Sequence, residues 1–77
     1  MNDDRRKVLK AILDTIADIQ NDLQDVFDEE EEAFHSMPDG VKASDRGQTS
    51  EAAVEALEGA LTSIAETFDY VNEAVGA

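Results

Sequence analysis

The larger apolar residues from Leu9 onward recur at spacings of 3, 4, 3, 4 and 3: Leu9, Ile12, Ile16, Ile19, Leu23 and Val26. Val54, Leu57, Leu61, Ile64, Phe68, Val71 and Val75 follow the same rule without a break. A strand repeats every second residue, so only a helix gathers such sets on one side. In the first stretch Leu9, Ile16 and Leu23 form one seam position and Ile12, Ile19 and Val26 the other, with Val8, Leu13 and Phe27 widening the stripe. Two amphipathic helices are the direct consequence.

Punctuation sets their limits. Asn2 or Asp3 is a good N-cap, and the first helix is expected over about residues 3–36. Glu30 takes the next seam position, but Ala33, Phe34 and Met37 continue an apolar stripe beyond it. Pro38 ends the helix, because the residue before a proline avoids helical angles. The connector, about 37–49, holds the only proline, Gly40 and Gly47, and two of the six basic residues. It has room for one helical turn near Val41. Thr49 or Ser50 caps the second helix, about 50–75, with Glu51 in its first turn and Gly76 where it stops.

Two helices of similar length joined by a dozen residues make an antiparallel hairpin. The fold class expected is all-α, a coiled-coil-like two-helix hairpin. Of the apolar residues, 11 are alanine, and a lone hairpin buries only a narrow stripe. Small domains of this kind lean on disulfides, metals or self-association. With no cysteine in the chain, a homodimer forming a four-helix bundle is expected, Ala53, Ala56 and Ala60 letting another helix approach closely. The alternative is a marginal monomer that orders fully on a partner.

Charge is lopsided. Nineteen acids oppose six bases, for a formal net charge of −13. Direct grip on nucleic acid needs clustered Lys and Arg, so it is not expected. No apolar run approaches the roughly 20 residues that span a bilayer. The start, with Asp3 and Asp4, lacks the apolar stretch of a secretory signal. A soluble, cytoplasmic protein without membrane contact follows as the expectation.

Asp14, Asp18, Asp22, Asp25, Glu29 and Glu32 are spaced 4, 4, 3, 4 and 3, one acidic stripe opposite the seam. At about 1.5 Å per residue it runs roughly 27 Å. The cluster 28–32 lies towards the C-terminal end of its helix, where the dipole disfavours acids. Such a face either keeps a small protein soluble or serves as a surface for a basic partner, imitating a phosphate backbone. Arg5, Arg6, Lys7 and Lys10 crowd the first turns, where an antiparallel partner helix would bring Glu66, Asp69 and Glu73.

Catalytic chemistry is hard to build from these residues. Glu32 and His35 match the Glu-x-x-His spacing of di-iron bundles, but the register puts both on the outer face rather than in a core. A pair between His35 and Glu31 is the plainer role, and no metal or other cofactor is expected. Ser36, Ser44, Thr49 and Ser50 suit caps and turns and have no second histidine to pair with. Phe68 and Tyr70 fall at core and near-core spacing. In the connector, Pro38, Asp39, Gly40, Ser44, Asp45 and Gly47 supply turn chemistry. Arg46 and Lys42 either pair with the 29–32 acids, the favoured reading, or bind an anionic group.

The run Asp28-Glu29-Glu30-Glu31-Glu32-Ala33-Phe34, followed by Ser36-Met37-Pro38-Asp39-Gly40-Val41 and Ser44-Asp45-Arg46-Gly47, resembles small acidic helical-hairpin proteins of phages and mobile elements. The initial Arg5-Arg6-Lys7 and the alanine-rich second helix are similar too. His35 departs from the polar or acidic residue expected there. The resemblance implies fold and origin more than activity. On it, the expectation is a non-enzymatic accessory protein that inhibits a host protein through the acidic face, a DNA-mimic-like surface. The alternatives are a self-assembling scaffold module or an oligomer that sequesters a small ligand near the connector.

Overall fold

The computed structural model describes all residues, 1–77, as three helices: α1 (Asp3–His35), α2 (Asp39–Lys42) and α3 (Asp45–Gly76). The long helices α1 and α3 pack antiparallel into a rod 58 Å by 15 Å by 13 Å, with no strand. The all-α hairpin expected from the heptad spacing is the observed fold.

Local chemistry accounts for each end. The Asn2 side chain accepts from the Arg5 amide at 2.9 Å, and Asp3 and Asp4 lie in the first turn, where the helix dipole favours them. At the far end Ser36 N–H donates to the Glu32 carbonyl and Met37 N–H to the Phe34 carbonyl before Pro38 stops the helix. The Pro38 carbonyl then accepts from Val41 at 2.9 Å and Lys42 at 3.0 Å, which winds the single turn of α2.

α3 begins five residues earlier than the sequence implied. Ser44 holds the N-cap position with extended angles, and its carbonyl accepts from Gln48 N–H at 3.0 Å. Thr49 and Ser50, the expected caps, lie inside the helix. The Ser44 hydroxyl turns back to donate to the Val41 carbonyl, which ties α3 to the α2 turn. Gly47 is buried at that junction, and a Cβ there would overlap the Lys42 backbone carbonyl group. Only glycine lets the two segments come so close.

The inward face of α1 also differs from the expected seam. Leu9, Leu13, Ile16, Gln20, Leu23, Phe27, Glu30 and Phe34 lie on the side toward α3, and Ile16 is the single large apolar residue that is buried, at 8% exposure. Leu13 and Phe27, expected as flanks, belong to the packing face. Ile12, Ile19 and Val26, expected at the seam, remain 41%, 43% and 50% exposed, with Val8 at 60% in the same row. The apolar stripe of α1 is wider than one helix can cover, and α3 covers the side away from that row. On α3, Val54, Leu57, Leu61, Ile64, Phe68, Val71 and Val75 are all half-buried, as their spacing implied. Tyr70 is not near the core: it is 73% exposed.

Glu30 interrupts the α1 packing face, and its place there has a partner. Ser50 Oγ donates to Glu30 Oε1 at 2.8 Å across the interface, and Ser50 is buried. A half-buried carboxylate bonded to one hydroxyl sets the sliding register of the two helices, since displacement by a turn would leave both groups unpaired.

Candidate acidic interface

Asp14, Asp18, Asp22, Asp25, Glu29 and Glu32 are all exposed on α1, on the side turned away from α3. Their helix is continuous through all six positions, so the row is straight and held by α1 itself. Asp28 accepts from Gln24 Nε2 at 2.9 Å, a bond along the same helix. No base meets any of these acids: the ion pair in the structure joins Arg6 and Asp3 at 3.2 Å, at the opposite end of α1. Between Ala11 and Phe34 there are nine carboxylates and no Lys or Arg.

The expected ion pairs form differently. Arg6 donates to the Ala77 carbonyl at 2.9 Å rather than to Glu66, Asp69 or Glu73. That contact does bring the basic start of α1 to the end of α3, as an antiparallel hairpin requires. Lys42 and Arg46 do not pair with the 29–32 acids. Lys42 Nζ lies 5.6 Å from the centroid of the Phe34 ring, a cation over an aromatic face. Arg46 is exposed and lines an open groove of about 430 Å³ with Met37, Ala33, Thr49, Ala53 and the Glu30–Ser50 pair.

Among the connector residues, Pro38, Asp39 and Gly40 start the α2 turn rather than a free loop, while Asp45, Arg46 and Gly47 form the first turn of α3. Glu32 and His35 are both exposed, and no three His, Asp or Glu side chains converge anywhere on a metal-sized site. His35 makes no pair with Glu31; its ring lies 5.7 Å from that of Phe34, tilted by 59°. Ala53 and Ala60 are half-buried against α1, and Ala56 faces solvent.

Two elements of this end of the rod escaped the sequence reading: the Glu30–Ser50 bond and the Gly47 contact with α2. The first had a visible signal, an acid standing at a seam position. The second had only an ordinary glycine. No protein-family model matches the chain, and no curated protein or solved structure matches it.

Proposed function

We propose that this is a non-enzymatic accessory protein, of phage or mobile-element origin, that binds and inhibits a basic host protein through the acidic face of α1. What supports the reading is the linear density of charge. Six carboxylates, Asp14, Asp18, Asp22, Asp25, Glu29 and Glu32, line that face over about 27 Å at 1.5 Å per residue. That is roughly one charge per 5 Å in a single straight row, the same order as the about 3.4 Å per phosphate along one strand of B-form DNA. A groove shaped to hold a nucleic-acid strand meets similar charge on a rod of fixed shape. The partner on this reading is a nucleic-acid-binding or defence factor in the host cytoplasm, and the working species is a homodimer carrying two such faces.

Charge reversal tests it. Asp18→Lys with Asp25→Lys changes exposed positions only, so helicity by circular dichroism should be unchanged. Host proteins retained by the wild-type chain should elute with duplex DNA or at about 0.5 M salt, where screening acts within a few ångströms. The double variant should retain them at least tenfold less. Equal retention by the double variant, or retention indifferent to DNA, rules out the acidic face as the binding surface.

A further inference from the structure

The exposed row of α1 is a second apolar surface for which the hairpin has no use. Val8, Ile12, Ile19 and Val26 are each at least 41% exposed, although they lie on a helix that spends its other apolar flank on α3. Ala33 continues the row by one heptad and lines the same groove as Thr49 and Ala53. The large residues of α1 and the small residues of α3 therefore share one broad face of the rod. A continuous apolar row left open along a rigid helix is the kind of surface that an interface covers.

The rod carries more surface than a compact chain of its mass. A compact monomer of 8.4 kDa exposes about 4,600 Å². This chain exposes 5448 Å². The surplus of roughly 800 Å² comes with the rod shape, and a standard protein interface buries about 800 Å² per partner.

Charge identifies the occupant and its direction. Residues 5–10 carry four bases, and residues 28–32 are five consecutive acids, at opposite ends of the same helix. A copy of α1 laid antiparallel on another brings each basic end to an acidic end. Ile12 and Val26 each lie seven residues from Ile19, so a two-fold axis at Ile19 sets Ile12 of one copy on Val26 of the other. The same axis sets residues 5–10 opposite 28–33. Apolar row and charge ends are thus self-complementary about one point, as an isologous interface requires.

We infer that a second copy of this chain covers this face, with α1 packed antiparallel on α1 across a two-fold axis at Ile19 and the alanines of α3 facing their counterparts. The interface adds to the homodimer of the proposed function a specific surface and direction, and it leaves both acidic rows uncovered, each along the edge of α1 turned away from α3. The dimer stands or falls by mass and cross-linking, without reference to any host protein, so its failure is separable from failure of the acidic-face reading.

Sedimentation equilibrium at micromolar concentration should give twice the chain mass of 8.4 kDa. Ile12→Asp with Ile19→Asp should return it to one. Because that variant could also lose the hairpin, single cysteines provide a second measure in a chain that has none of its own. Ile19→Cys should cross-link to itself on mild oxidation, and Ile12→Cys mixed with Val26→Cys should give the mixed dimer. A single-chain mass for the wild type overturns the inference. So does a dimer in which Ile19→Cys stays reduced while Val26→Cys joins Ala56→Cys, since that pattern places α1 on the partner's α3.

Discussion

The Glu30–Ser50 bond is the one polar contact between side chains of α1 and α3, and removing it has a calculable effect. Ser50→Ala deletes the donor at a buried position, leaving the carboxylate at 2.8 Å without its hydroxyl. A hydrogen bond to a charged group contributes about 1.5–3 kcal/mol. Glu30 is only half-buried, so water reaches the vacated site and recovers about half of that. Alanine in place of serine returns a few tenths of a kcal/mol in helix propensity. The net loss is about 0.5–1 kcal/mol, which for a chain of this size lowers the unfolding midpoint by about 3–6 °C. Glu30→Leu combined with Ser50→Ala replaces the pair by apolar contact. Half-burying a leucine contributes about 1 kcal/mol, so the double variant should exceed Ser50→Ala by about that amount and match or slightly exceed the wild type. Urea unfolding followed by circular dichroism, at one fixed chain concentration because association shifts the midpoint, measures all three proteins. If Ser50→Ala is as stable as the wild type, the bond is matched by water and does not set the register.

Two further perturbations probe the fold. Gly47→Ala forces α2 away from α3, because its Cβ meets the Lys42 backbone, and should cost about 2–3 kcal/mol; Gly59→Ala, in open space on α3, should instead stabilise by about 1 kcal/mol in the same urea titration. Equal effects at the two glycines would show that the α2–α3 junction yields freely. Raising salt from about 10 mM to 0.5 M screens the row of like charges on α1, each neighbouring pair of which costs a few tenths of a kcal/mol. Thermal melts should rise by several degrees, and a fall would mean that attractive pairs outweigh the repulsion.

Most of the architecture was legible in the spacing of apolar residues. Unbroken 3-4 spacing permits no element but a helix, Asn2 and Pro38 bound the first helix chemically, and the acidic stripe follows from the same period. α3's inward positions came out as read because its large apolar residues form a narrow stripe with only small residues beside it. The start of α3 was less accessible. Ser44, Thr49 and Ser50 are equivalent as caps in sequence, and the choice among them depends on where the α2 turn delivers the chain.

The division between helix pattern and tertiary arrangement is sharpest on α1. Its period dictated a helix and its acids dictated an outer face, since both depend only on rotation per residue. Which flank of the apolar stripe met α3 was a different matter. With Leu13 and Phe27 on one edge and Ile12, Ile19 and Val26 on the other, either edge satisfies the pattern equally well. The Glu30–Ser50 bond joins residues 20 apart in sequence and fastens α3 to the face of α1 that holds Leu23, Phe27 and Phe34. The isoleucine edge stays open for that reason, because one helix spans less than the arc of apolar surface that α1 presents.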